Sequence, residues 1–311
     1  MWHDSDGMTA KYRGRFAPSP TGAMHFGSLI AALASYCDAR AHGGEWLVRI
    51  EDLDEPRTSK AAAVEILAQL AAYGFRYDGP VVWQSERGAL YQAALDQLIG
   101  KGLAFPCACT RKDLENAALG AGGERIYPGT CRSGVPPGRR ARAWRVGVSD
   151  NAVGFRDRLQ GRYEQNLANE VGDFVVKRAD DVFAYQLAVV VDDANQGITH
   201  VVRGSDLLAS TPRQIWLQGQ LDLPTPVYLH HPIAIDARGE KLSKQTAAPP
   251  LPVDPLPALL RAWKFLDQPL PSSPPNSIDA FWAWAHRAWN ARILPPVMML
   301  PAPTPIVDAA V

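Results

Sequence analysis

The chain has 311 residues, 47% of them hydrophobic and 21% charged, with 32 basic residues balancing 32 acidic ones. These proportions exclude a disordered or fibrous chain, and at roughly 150 residues per domain the length suggests about two domains. The longest apolar stretch, near Phe183–Val191, is nine residues and contains Gln186, against the roughly 20 a membrane span needs, and zero net charge argues against a general nucleic-acid coat. The opening Met1-Trp2-His3-Asp4-Ser5-Asp6 has acids where a signal peptide has bases, which points to a cytoplasmic protein.

Residues 1–11 read as a loose leader, followed by a strand at Tyr12–Ala17 and a turn-rich Pro18-Ser19-Pro20-Thr21-Gly22. Ser28–Ala41 has the spacing of a helix, with Leu29, Leu33, Tyr36 and Cys37 on one face. Trp46–Ile50 reads as a buried strand, Ala61–Tyr73 as a helix with Val64, Leu67 and Leu70 on one side, and Gly88–Gly100 as a further helix. Strand and helix alternating in this way predict βαβ units and a doubly wound parallel α/β sheet. Over 101–183 the rhythm breaks. Cys107, Cys109 and Cys131 fall there, and from Arg125 to Arg162 nine arginines face two aspartates with no Glu or Lys. The α/β pattern resumes with strands at Leu187–Val191 and His200–Arg203, a helix at Ser210–Leu221 capped by Thr211 with Pro212 in its first turn, and a strand at Tyr228–Ile235. Residues 245–276 carry nine prolines and read as a connector, and Ser277–Ala291 as a packing helix with Ile278, Phe281, Trp282, Ala285 and Trp289 on one face. The expected organisation is thus one α/β unit, 12–100 and 184–245, split by an insertion at 101–183. A Pro-rich connector and short helical C-terminal region follow at 246–311.

Two strings carry chemistry. Arg15-Phe16-Ala17-Pro18-Ser19-Pro20-Thr21-Gly22, with His25-Phe26-Gly27-Ser28 behind it, joins a strand end to a helix start, the crevice where open α/β sheets bind ligands. Helix N-terminal N–H groups favour anions there, Gly27 lets a ligand approach the backbone, and His25 can donate to a phosphate oxygen. The second string, Lys241-Leu242-Ser243-Lys244-Gln245, is a basic loop. Together they resemble the HIGH and KMSKS signatures of class I aminoacyl-tRNA synthetases. Ser28 and Gln245 depart from the last position of each, and Leu242 replaces the usual Met. The Arg15–Gly22 string and Arg49-Ile50-Glu51-Asp52-Leu53-Asp54 narrow the resemblance to the glutamyl/glutaminyl group, over residues 13–245.

The resemblance implies a Rossmann-like catalytic fold in which the α-carboxylate of an amino acid attacks the α-phosphorus of Mg²⁺-bound ATP. His25, Lys241 and Lys244 would stabilise the phosphate charge as catalytic groups, with Gly27 and Ser28 also at ATP. Arg15, Phe16, Ala17, Pro18, Ser19, Glu51, Tyr185 and Arg203 would form the amino-acid pocket. Two arginines beside one small ligand favour L-glutamate over glutamine, and Glu51 suits its α-ammonium.

Three thiolates suit one structural Zn²⁺, which takes four ligands. No histidine lies between His42 and His200, so Tyr127 is the candidate fourth ligand, with Glu124 and Asp113 as rivals. Cys-x-Cys with Tyr-x3-Cys resembles the zinc site of one branch of the group. Only 67 residues follow Lys244, too few for the anticodon-reading region of full-length members. That shortness matches the branch that activates glutamate without tRNA and esterifies it to the cyclopentene-diol of queuosine at the wobble position of tRNA(Asp). The Arg-rich 125–162 segment would then meet phosphates of the anticodon stem-loop. A shortened glutamyl-tRNA synthetase charging a tRNA 3′ end, or a non-catalytic zinc-stabilised RNA-binding module, are the alternatives. Nothing in the sequence marks a membrane anchor or an obligate protein partner.

Overall fold

The computed structural model describes residues 2–3, 11–120, 123, 125–242 and 249–303. It opens with β1 (Trp2–His3), β2 (Arg13–Phe16), α1 (Phe26–Ala41), β3 (Glu45–Ile50), α2 (Lys60–Ala72), β4 (Val82–Trp83) and α3 (Gly88–Gly100). β2, β3 and β4 pair in parallel in that order, Arg15 opposite Leu47 and Phe16 opposite Val48. α1 crosses between β2 and β3. It is buried beyond the expected face, through Ile30, Ala34 and Asp38 as well as Leu29, Leu33, Tyr36 and Cys37, because other elements surround it. α2 corrects its predicted face. Val64 is exposed, while Ala63, Ile66 and Leu70 point into the core. The alanines in this helix blurred its apolar stripe.

The insertion contains β5 (Ala104–Cys107), β6 (Ala143–Val146), β7 (Ala152–Asp157), β8 (Gly161–Asn166), α4 (Leu167–Glu170) and β9 (Phe174–Lys177). β5, β6 and β9 form an antiparallel sheet, and β7 and β8 a hairpin. β1 adds to β7 in parallel, so residues 2–3 of the expected loose leader are strand-paired.

The parallel pattern returns with α5 (Tyr185–Asn195), β10 (His200–Gly204), α6 (Thr211–Gln220), β11 (Val227–His231) and β12 (Ile233–Ile235). Leu187–Val191, expected as a strand, is the buried centre of α5. A short apolar run fits a buried strand and a buried helix equally well by pattern alone. Ser210, not Thr211, occupies the N-cap of α6, and Pro212 stands in its first turn. The strand expected at Tyr228–Ile235 divides at Pro232, which has no N–H for a ladder. β10 pairs with β11 and flanks β2, where the Thr199 N–H donates to Arg13 O at 2.9 Å. The order across the molecule is therefore β4-β3-β2-β10-β11. It reverses direction between β2 and β10, and this switch point opens the crevice at their carboxyl ends.

The proline-rich connector is shorter than expected. Residues 255–265 form α7 (Pro255–Phe265), with Pro255 in its first turn and the Asp254 side chain accepting from the Leu256 N–H. α8 (Ile278–Ala288) follows with Ser277 as its cap, and β13 (Met299–Pro301) pairs with β12. Trp263, Phe281, Trp282 and Trp289 join Trp46, Val48, Ile50 and the α1 side chains in one core. A second core lies between α3, the insertion, α5 and α6, and a small third surrounds the cysteines. Among the described residues no helix is long and apolar enough to cross a membrane.

Candidate active site

A cavity of about 890 Å³ occupies the switch point. Arg15, Phe16, Ala17, Pro18, Ser19, His25, Gly27, Ser28, Glu51, Tyr185, Arg203 and Lys241 all line it. Ser243, Lys244 and Gln245 lie outside the described residues, as does Glu124.

At the anion end, His25 is the N-cap of α1, and its Nδ1 accepts the Gly27 N–H at 3.1 Å. That acceptance leaves the ring proton on Nε2. Gly27 sits in a tight space. A Cβ there would lie 3.0 Å from His25 Cε1 and 3.2 Å from Leu242 O. The two strings singled out in the sequence thus meet at one glycine, 215 positions apart along the chain (27 to 242). Pro250 bridges His25, and the Leu251 N–H donates to Met24 O at 3.0 Å, so both flanks of residues 243–248 rest on the first string. Lys241 Nζ donates to Asp206 Oδ2 at 2.5 Å.

The amino-acid end is built on buried charge. Arg15, 4% exposed, donates from Nε to Asp193 at 3.3 Å, the one hydrogen bond of its side chain among the described residues, so both Nη atoms remain for a ligand. Arg49, fully buried, donates to Asp193 at 2.8 Å, to Gln196 at 2.8 Å and to Glu51 at 3.3 Å. Burial works against the Arg49 charge, but Asp193, Glu51 and Asp192 outweigh it and hold its pKa above the usual range. Asp193 is likewise buried, yet Arg15 and Arg49 keep its carboxyl below the ordinary value. Burial pushes the Glu51 carboxyl up, against the pull of both arginines. Arg203 uses Nε on His230 at 3.0 Å and Nη2 on Thr211 and Gln214, and its Nη1 stands 3.5 Å from the Tyr185 hydroxyl. The cavity therefore offers two guanidinium groups and a carboxylate beside a helix N-terminus with an imidazole donor.

Sequence reasoning missed the supports. Arg49 was quoted within a motif without a role, although a charge inside an apolar strand demands a counter-ion. Asp193, His230 and Asp157 carried no signal until the fold brought them to the arginines.

In the insertion, Cys109 and Cys131 Sγ are 3.8 Å apart, and the Tyr127 hydroxyl lies 3.5 and 3.6 Å from the sulfurs of Cys107 and Cys109. A tetrahedral ion with Zn–S of about 2.3 Å and Zn–O of about 2.0 Å spans edges of about 3.8 Å (S–S) and about 3.5 Å (S–O). The four side chains fit such an ion. Asp113 does not join them, because its carboxylate is taken by Thr110 and Arg139. The basic surplus of 125–162 is smaller in space than along the chain. Arg132 pairs with Asp173, Arg139 with Asp113 and Arg158 with Asp38, all acids outside the segment. Arg140, Arg142 and Arg156 stay exposed.

Residues 11–250 match the family model of the catalytic domain of class I tRNA synthetases (E and Q). The chain belongs to this family. Among its curated relatives, a glutamyl-Q tRNA(Asp) synthetase of Burkholderia cenocepacia is 59% identical over 93% of this chain and 99% of its own length. Another of Dechloromonas aromatica is 55% identical over 95% and 100%. Among solved structures, the glutamate-tRNA synthetase of Elizabethkingia anophelis shares the fold with a TM-score of 0.74 and 25% identity, covering 94% of this chain and 68% of that one. As a class I synthetase of the E and Q type, the chain is a ligase whose family works on ATP, an amino acid and tRNA.

Proposed function

We propose that this cytoplasmic enzyme activates L-glutamate with ATP in the absence of tRNA, then transfers glutamate to the cyclopentene-diol of queuosine at the wobble position of tRNA(Asp). The observation that carries the reading is the single cavity in which Arg15, Arg203 and Glu51 lie beside His25, Gly27 and Lys241. A ligand with two carboxylates and one ammonium matches the first set, and a nucleotide phosphate the second. The names and near full-length match of the 55–59% identical relatives support the choice of acceptor.

Arg15 and Arg203 take the substrate carboxylates, with Tyr185 beside Arg203. Glu51 takes the ammonium, and Phe16, Ala17, Pro18 and Ser19 wall the slot. His25 Nε2–H, the amide groups near Gly27 and Ser28, and the ammonium groups of Lys241 and Lys244 receive the charge of the transferring phosphate. The glutamate α-carboxylate oxygen forms a bond to the α-phosphorus, the bond to the bridging oxygen breaks, and pyrophosphate leaves with that electron pair. Positioning and cations supply most of the acceleration in such a transfer. Mg²⁺ arriving with ATP neutralises further phosphate charge. A hydroxyl of the queuosine diol then attacks the acyl carbon, loses its proton and displaces AMP. Cys107, Cys109, Tyr127 and Cys131 hold one structural Zn²⁺ in the inserted domain, 101–183, between the two catalytic halves.

The test is glutamate-dependent ATP–pyrophosphate exchange by the purified chain without RNA, followed by transfer of labelled glutamate to tRNA(Asp) with and without queuosine. Exchange without RNA and transfer only to the queuosine form are expected. Equal charging of both tRNAs refutes the acceptor, and absence of exchange refutes the activation.

A further inference from the structure

Arg203 is fixed from behind by a chain of buried groups that begins in the insertion. Its Nε donates to His230 Nε2 at 3.0 Å, and His230 Nδ1 lies 2.6 Å from Asp157 Oδ2. Arg203 is 5% exposed, His230 0% and Asp157 2%. A guanidinium can only donate, so His230 Nε2 must present its lone pair. The imidazole proton then sits on Nδ1 and donates to Asp157. The other oxygen, Asp157 Oδ1, accepts the N–H groups of Leu159, Gln160 and His230. Asp157 ends β7 of the insertion and His230 lies in β11 of the parallel sheet. Burial, against the pull of Asp157, pushes the His230 pKa down to about 4, consistent with a neutral ring.

We infer that Asp157 and His230 are positioning residues, the carboxylate of the inserted hairpin selecting the imidazole tautomer that orients Arg203 toward the amino-acid substrate. The inference rests on the reading of Arg203 as a carboxylate ligand. With Nε and Nη2 engaged, Nη1 is the nitrogen turned to Tyr185 and the cavity. A long, flexible side chain is thereby ordered before substrate arrives, so less rotamer entropy is lost on binding. The tautomer is the vulnerable element. A proton moved to Nε2 would set two donors against each other at Arg203.

Asp157→Asn is the direct test because it preserves shape. Three backbone N–H groups already converge on Oδ1, so the new amide keeps its oxygen there and turns its NH2 toward His230 Nδ1. That NH2 needs an acceptor and drives the imidazole proton to Nε2. The expected result is a glutamate KM raised about tenfold or more in pyrophosphate exchange, with the ATP KM unchanged. Nitrogen-15 spectra of histidine-labelled wild-type chain should show His230 protonated at Nδ1, a readout that does not depend on how the variant folds. A wild-type ring protonated at Nε2, an unchanged glutamate KM, or equal rises in both KM values would overturn the inference. A wild-type chain with no glutamate-dependent exchange would instead sink the proposed function and leave the tautomer measurement standing.

Discussion

Glu51→Gln separates what the pocket needs from what the fold tolerates. The Glu51 side chain is 9% exposed, and its Oε1 accepts from Arg49 Nη2 at 3.3 Å. Burial raises its pKa despite Arg49 and Arg15. A carboxyl whose folded pKa lies above its unfolded value takes up protons on folding. Its charge therefore costs stability in full above the folded pKa, less as the pH falls through that value, and nothing below the unfolded pKa. Glutamine keeps the shape and an acceptor for Arg49 but removes the charge. The unfolding midpoint of the variant at neutral pH should equal or exceed that of the wild type, and any gain should shrink on acidification. Binding should move the other way. An ammonium held by a buried carboxylate is a charge-assisted pair worth about 1.5–3 kcal/mol, so its loss should raise the glutamate KM about 10- to 150-fold. Thermal melts across the acid range and glutamate titrations of pyrophosphate exchange measure the two effects. An unchanged glutamate KM removes Glu51 from substrate binding. A midpoint lowered by several degrees at neutral pH refutes the claim that this charge burdens the fold.

Three further outcomes are expected. Lys244→Ala should lower the exchange rate about a hundredfold or more with an unchanged melting profile, and a near-normal rate would dismiss Lys244 from the chemistry. Cys109→Ser should take bound zinc, counted by elemental analysis, from one per chain toward none and loosen the insertion before the parallel sheet; full zinc content would contradict the ligand set. Arg49→Met takes from buried Glu51 its arginine donor and from Asp193 the nearer of its two guanidinium partners, so denaturant unfolding should show a loss of about 3–5 kcal/mol, and a negligible loss would mean that Arg15 alone balances those carboxylates.

The sequence was most informative where local pattern and chemistry coincide. The Arg15–Gly22 and His25–Ser28 strings sit on a strand end and helix start because Pro, Gly and Ser break one element and open the next, and the structure brings them to the Lys241–Leu242 loop. The helix at Gly88–Gly100 matches its predicted bounds. Reading failed where the deciding contact is distant. Leu187–Val191 is helical because Val189 and its neighbours are enclosed on several sides, which a five-residue apolar run does not reveal. The proline count obscured α7, although Pro255 and Pro257 stand in or near its first turn, where the missing N–H does no harm. Asp157 is separated from His230 by 73 positions, so no window on the chain could have joined them.

Two consecutive residues tie the insertion to the catalytic sheet, and this bears on why the proposed activation needs no RNA. Asp157 reaches His230 behind the pocket, and Arg158 reaches Asp38 of α1 at 2.5 Å, where the Tyr12 hydroxyl and Trp289 Nε1 also donate. Burial opposes the Asp38 charge, but Arg158 and these donors hold its carboxyl below the usual range. Swinging the insertion away would uncover both pairs at once, and breaking a single buried pair commonly costs about 3–5 kcal/mol. The hairpin is therefore fastened to both β11 and α1. Arg15 is likewise set by Asp193, Asp193 by Arg49, and Arg203 by His230, all from within the chain. The two arginines of the proposed slot are thus braced by buried partners within the chain, as the proposed activation without RNA requires.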